Sequence, residues 1–222
     1  MLFLGARDSE QCSKALSYCR SNFANCVEYL GQWGDPLAED IGLWEGDYII
    51  SYLSRWIIPE RILVKAKFAA INFHPGTPEY PGVGCNNFAL YEQAQQYGVT
   101  CHHMASAVDT GSIIAVRRFD IIETDDVASL LNRTYDCQLQ LFHQIVDTIT
   151  SGDALPISSE RWVRKPFTRQ QLNELGMITT DMAREEVAKR IRATSYGQWQ
   201  PTIEHQGFTF RLISGVDVKA TL

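Results

Sequence analysis

The chain has 222 residues, 45% of them hydrophobic and 21% charged, with a formal net charge of −6. That length holds one good core, or one main domain with a small appendage, and leaves no room for a second full domain. No apolar run reaches the ~18 residues of a membrane span, and an acidic chain without a lysine-rich run lacks the basic patch that grips a polyanion, so neither membrane nor nucleic acid is expected as a partner.

In chain order, Leu2 to Gly5 reads as a buried first strand, too short an apolar stretch for a secretory signal. With 6 cysteines that form no Cys-x-x-Cys pair and read as reduced thiols, this points to the cytoplasm. Asp8 or Ser9 can cap a helix whose apolar positions Cys12, Ala15, Leu16 and Cys19 recur at helical spacing. The turn Gly5-Ala6-Arg7-Asp8 lacks the Gly-x-Gly-x-x-Gly fingerprint, which argues against NAD. Cys26 to Leu30 reads as a second strand, and Gly31 to Asp35 as a loop entering a short helix with Pro36 in its first turn. Asp47 to Leu53 is apolar on both faces, the pattern of a central parallel strand covered by helices. Pro59 opens a helix from Glu60 to Ala66, and a β-branched and aromatic run then leads to His74.

Asn86 or Asn87 can cap a helix through Phe88, Ala89, Tyr91 and Ala94 that ends before Gly98. Val99 to Met104 reads as a strand, with Ile113 to Phe119 as its antiparallel partner. Asp125 begins a long helix to Thr150 with a wide apolar face. Past Pro156 the pattern changes: Arg161 to Phe167 is an irregular basic and aromatic segment, Thr180 to Ala193 an amphipathic helix, and Thr202 to Leu212 a hairpin turning at Gln206-Gly207. Strands alternating with helices predict an α/β sheet, followed here by a small α+β appendage.

The chemistry gathers where the fourth strand breaks into prolines and glycines. Asn72 and His74 share a face there, because alternate strand residues do, and ligands of open α/β sheets bind beyond strand carboxyl ends. Asp109 sits on a glycine-containing turn from which it could reach His74. Alone, a histidine before proline, an aspartate before Thr-Gly and an asparagine at a strand end are each ordinary turn residues. Together, Asn72-Phe73-His74-Pro75, Tyr80-Pro81-Gly82, Gly98-Val99-Thr100-Cys101-His102 and Asp109-Thr110-Gly111 resemble, in order and spacing, the folate-dependent formyltransferase family. The resemblance covers roughly residues 45 to 150 well.

It implies a Rossmann-like formyltransferase core over residues 1–155, with residues 156–222 as the appendage, and N10-formyltetrahydrofolate as co-substrate without a metal. Formyl transfer to an amine needs a neutral nucleophile, a stabilised oxyanion and a proton moved off nitrogen. An imidazole, with an ordinary pKa of about 6.5, can exchange that proton, a carboxylate can orient it, and one amide donor is worth roughly 3 kcal/mol to an oxyanion. His74, Asp109 and Asn72 match those three needs. The resemblance assigns Leu53, Arg55, Trp56 and Ile57 to the pterin pocket, although Trp56 and Ile57 read equally as core, and adds His102, Val108 and Gly111 to the folate contacts. Ala105 and Ser106 replace acidic positions of the family. Cys101, His102 and His103 could imitate a metal site, but neighbouring strand residues point to opposite faces.

Beyond residue 150, Arg190-Ile191-Arg192-Ala193, Pro201 and the hairpin, together with Tyr80-Pro81-Gly82, resemble the sugar N-formyltransferase branch. That branch implies a dTDP-, UDP- or GDP-linked amino deoxy sugar as acceptor, in surface polysaccharide (O-antigen) synthesis. Pro75, Gly76, Thr77, Tyr80, Gly82, Asn86, Trp162, Arg164 and Lys165 are the candidate acceptor contacts. Phe208 and Phe210 on the hairpin could close a homodimer. Competing readings are transfer to methionyl-tRNA or glycinamide ribonucleotide, hydrolysis of formyltetrahydrofolate, and a non-catalytic folate- or nucleotide-binding module.

Overall fold

The computed structural model describes residues 1–213, so the last part of the expected appendage, residues 214–222, lies outside the described residues. A six-stranded sheet has the order β2-β1-β3-β4-β5-β6. Its strands are β1 (Leu2–Ala6), β2 (Val27–Gly31), β3 (Gly46–Tyr52), β4 (Ala66–His74), β5 (Gln96–His103) and β6 (Ile113–Asp120). The first four in chain order run parallel, whereas β5 is antiparallel to both β4 and β6, giving a mainly parallel sheet with a meander at one edge. The β5–β6 register shifts between Cys101 and His102, so that Cys101 faces Ala115 while His102 faces Ile113.

Strand alternation sorts the core into two layers. Phe3, Ile50, Ile71 and Phe73 pack under helices α1 (Glu10–Asn22) and α4 (Val127–Thr150), with Ala15, Leu16, Leu141, Phe142 and Ile145 facing them. Leu2, Leu4 and Ile49 point the other way, onto Ile41, Ile58 and the short helix α2 (Glu60–Leu63). A third cluster joins helix α3 (Cys85–Tyr91) to α5 (Arg169–Leu175) and α6 (Arg184–Thr194) through Tyr80, Phe88, Ala89, Leu175 and Ala193. The tail completes a small sheet of β7 (Met177–Ile178), β8 (Thr202–His205) and β9 (Phe208–Arg211), the last two forming the expected hairpin.

Several boundaries differ from the sequence expectation. Helix α3 is entered through Gly84 at φ +72°, not through Asn86 or Asn87; Asn86 is buried within the helix and Asn87 donates to the Ala193 carbonyl. The cap of α4 is Asp126, whose carboxylate and Ser129 form a reciprocal capping box, while Asp125 instead binds Arg133 and the Ile122 amide. The short helical turn after Pro36 covers Glu39–Leu43, and α2 stops at Leu63 because β4 begins at Ala66. Helix α6 starts at Arg184 rather than Thr180, and α5 and β7 were not expected from the sequence.

Phe142 stands at the centre of the larger layer, its ring 5.0 Å from both Tyr52 and Phe73 and 6.5 Å from Phe3. Phe142→Ala is expected to cost about 3–5 kcal/mol, read as a lower urea midpoint at unchanged slope, since truncating a fully buried aromatic loses transfer energy and leaves a cavity.

Candidate active site

Four polar side chains meet at the end of β4. Asn72 and His74 project from β4, and His102 lies opposite Asn72 on β5. The β5–β6 loop folds back so that Asp109, at φ +49°, enters between the two imidazoles. Asp109 Oδ2 lies 3.2 Å from His74 Nδ1, and Asp109 Oδ1 lies 3.3 Å from His102 Nε2. The Asn72 amide nitrogen is 3.2 Å from that same His102 Nε2. His74, His102 and Asp109 are 3%, 3% and 5% exposed, so their charges interact with little screening by water.

The backbone decides which ring nitrogens carry hydrogen. Carbonyls only accept, so His102 Nδ1 donates to the His103 carbonyl at 2.8 Å and its Nε2 can accept from Asn72. His74 Nε2 donates to the Tyr80 carbonyl at 2.9 Å, leaving Nδ1 to face Asp109. Burial alone would push the Asp109 carboxyl up, but His74 and His102, when a proton on the ring nitrogen facing Asp109 makes them imidazolium, and the Gly82 amide, 2.8 Å from Oδ2, outweigh it and hold the pKa down at about 2. Gly82, at φ +90°, sits in a backbone conformation that favours glycine, which lets its amide face the carboxylate.

These residues form part of the wall of a cleft of about 510 Å³, within the usual size of a small-molecule site. Of the residues singled out in the sequence, Leu53, Arg55, Trp56, Ile57, Asn72, His74, Pro75, Gly82, His102, Val108 and Asp109 line it. Leu53, Ile57, Met104 and Val108 supply apolar wall and Ser51 and Ser54 polar groups, which suits a flat heteroaromatic ring with amide-like edges. Trp33, Met104, Pro166, Phe167 and Thr168 also line it and were not singled out. Trp33, 69% exposed, carries the Arg55 guanidinium 5.0 Å from its ring centre; an aromatic set between Gly31 and Gly34 was the available signal.

The remaining candidates stand apart from the lining. The Gly76 carbonyl is held by Thr100, and Thr77, Tyr80 and Asn86 are buried, Tyr80 within the cluster around α3. Arg164 pairs with Glu92 over the rings of Tyr80 and Phe167, and Lys165 is exposed. Trp162 lies over the two histidines with its indole nitrogen donating to the Gly111 carbonyl, 2.8 Å away. Gly111 thus acts by its backbone, and a β-carbon there would fall 1.8 Å from the His103 carbonyl oxygen. Among the described residues, no cluster of three or more His, Cys, Asp or Glu side chains could hold a metal ion.

The profile of a family described as formyl transferase matches residues 28–146, more than half of the chain. Among solved structures, Rv3404c of Mycobacterium tuberculosis is similar over 97% of this chain and 97% of its own, at 18% identity and a TM-score of 0.78. A sugar N-formyltransferase from Shewanella sp FDAARGOS_354 is similar over 98% of each chain, at 16% identity and a TM-score of 0.74. An N-formyltransferase from Helicobacter canadensis, in complex with folinic acid and dTDP-3-aminofucose, is similar over 93% of this chain and 84% of its own, at 17% identity and a TM-score of 0.70. At such identities these likenesses show a shared fold.

The depressed pKa of Asp109 fixes an acid dependence. A carboxyl whose folded value lies below its unfolded one stabilises the fold above the unfolded value and loses that contribution as pH falls through the folded one. Going from 3.8 to about 2, Asp109 contributes about 2 kcal/mol above pH 4, lost between about pH 4 and pH 2. Urea titrations in acid should therefore show the wild type losing stability relative to Asp109→Asn across that window; parallel curves would contradict the charge assignment.

Proposed function

The chain belongs to the formyl transferase family, and we propose that it moves the formyl group of N10-formyltetrahydrofolate onto the primary amine of a nucleotide-linked amino deoxy sugar. The observation that carries this reading is the Asp109 carboxylate held between two buried histidines beside Asn72, at the wall of a cleft of small-molecule size. The co-substrate supplies an activated one-carbon unit, and the chain's own residues supply the rest.

Asn72 spends one amide hydrogen on His102 and keeps the other for the formyl oxygen, which gathers negative charge as nitrogen adds to the carbonyl carbon. The proton lost by nitrogen passes to the His74–Asp109 pair, whose 3.2 Å separation allows direct hand-over, and it is returned to N10 as the bond from the formyl carbon to N10 breaks and tetrahydrofolate leaves. Asp109, its charge supported by the Gly82 amide, can stabilise the positive charge that a neighbouring histidine gains. Leu53, Ile57, Met104 and Val108 bound the recess for the pterin, with Arg55 and Trp56 beside it.

A small anionic acceptor fits an acidic chain better than tRNA does. The Helicobacter canadensis complex supports a dTDP-linked amino sugar by likeness of fold. Pro166, Phe167 and Thr168 give the acceptor a wall, with exposed Lys165 next to it for a diphosphate. Surface polysaccharide (O-antigen) synthesis in the cytoplasm is the setting that such a substrate implies. Exposed Phe208 and Phe210 on β9 provide the surface for a homodimer.

A mass-spectrometric screen of amino-sugar nucleotides with the formyl donor should show a gain of one formyl group in a single class of acceptor. His74→Ala and Asp109→Ala should each lower turnover about 100-fold or more in folded protein, and full turnover in either would sink the mechanism. Formate release without an acceptor would assign hydrolysis instead, and efficient formylation of charged initiator tRNA would reject the sugar.

A further inference from the structure

Residues 158–168 lie beyond the stretch that the family profile matches, yet they run across the catalytic cluster as an extended strap. Its backbone is tied to the loop after β4 at three points. The Val163 amide donates to Pro78, the Phe167 amide to Pro81, and the Phe167 carbonyl accepts from Val83, at 3.1, 2.9 and 2.9 Å. Phe167 stacks on Phe88 at 3.7 Å with the rings 7° from parallel, and Glu160 shares Arg118 with Glu79. A β-carbon on Gly82 would meet the Phe167 carbonyl oxygen at 2.4 Å, so strap and loop pass each other with no space to spare.

Two routes lead from the strap to Asp109. The first is Gly82: gripped on both sides by Phe167, it points its amide at Asp109 Oδ2 from 2.8 Å. The second is Trp162, whose indole nitrogen holds the Gly111 carbonyl at 2.8 Å, two residues beyond Asp109 on the same loop. The indole also stands edge-on to His74 and His102, ring centres 5.7 and 5.0 Å away, and so keeps water off the face of the cluster turned from the cleft. The indole is thus engaged by the Gly111 carbonyl and the two imidazoles and stands outside the cleft wall.

We propose that the strap sets the Asp109 carboxylate for catalysis, and that Trp162 is the positioning residue through which it acts. The carboxylate is aimed at His74 and His102 only if the loop carrying it is fixed from both sides, by the Gly82 amide before it and the Gly111 carbonyl after it. Excluding water from the back of the cluster strengthens the attraction between carboxylate and imidazoles, because the same charges interact more strongly at lower effective dielectric. The carboxyl-terminal segment therefore completes the catalytic centre as well as walling the cleft. This inference rests on the formyl-transfer reading for its kinetic consequence but not for its structural one.

The test combines kinetics with hydrogen exchange on the full chain. Trp162→Phe keeps a ring over the histidines and loses the N–H bond to Gly111; a lost hydrogen bond of that kind should lower kcat about fivefold to tenfold. Trp162→Ala loses both and should lower kcat about 100-fold, the scale of a displaced catalytic group, while KM for donor and acceptor stays within about threefold. In both variants the Gly82 amide should exchange faster than in wild type, with the amides of β1 unchanged.

Wild-type exchange at Gly82 together with wild-type kcat per folded molecule, in either variant, would overturn the proposal. So would exchange accelerated equally in β1, which marks a merely structural loss, or a raised KM at constant kcat, which marks a substrate contact. If the wild type formylates no amine at all, the functional reading fails, while local loss of Gly82 protection would still identify the strap as what holds Asp109.

Discussion

One buried carboxylate organises this molecule. Asp109 makes sense only where two imidazoles and a backbone amide converge, since a carboxylate in an apolar interior without such partners would take up a proton and lose its charge. Each partner comes from a different part of the chain: His74 from the end of a parallel strand, His102 from the antiparallel strand beside it, and Gly82 from the loop that follows His74. The switch from parallel to antiparallel pairing at β4–β5 brings the two histidines to one carboxylate, because it sets Asn72 directly opposite His102.

The loop after β4 illustrates how much fixed backbone such a site requires. The Pro75 carbonyl accepts from the Tyr97 hydroxyl at 2.7 Å and from the Cys85 thiol at 3.2 Å, and the Gly76 carbonyl accepts from Thr100 at 2.8 Å. Tyr80 then fills the cluster against α3 while its carbonyl takes the hydrogen of His74 Nε2. Pro75, Gly76 and Tyr80, expected from the sequence to touch an acceptor, thus fix the loop that runs from His74 to Gly82, and both jobs use the same residue types: small residues for close approach, an aromatic for anchorage.

Much of the site was legible because strand alternation and turn chemistry are local. Asn72 and His74 share a face by period alone, and Asp109 is marked by its Thr-Gly turn; the family resemblance joined them, which no local rule could do. Tertiary contacts were not legible. Asn86 and Asn87 are better caps by propensity than Gly84, but packing of Phe88, Ala89 and Leu90 places the helix start earlier, at a residue able to adopt a positive φ. Between Asp125 and Asp126, the choice depended on Arg133, a turn and more away, claiming the first of them. Trp162 was visible as an aromatic near basic residues; that its partners would be a distant carbonyl and two imidazoles was not written in its neighbours.

The shift in register between Cys101 and His102 has a consequence for how this chain could change length. Ile114 is the extra residue of β6 that the shift accommodates, and it is buried, so the strand absorbs it by turning it inward. Removing it would reverse the facing of Ile113, the one strand residue between it and the loop, while leaving the pairing of β5 with β4 intact. Insertions and deletions should therefore be tolerated unequally along the sequence. The segment from His103 to Ile114 is pinned where the His103 amide donates to the Ser112 carbonyl and where Trp162 donates to the Gly111 carbonyl, so a change of length between those points would displace Asp109.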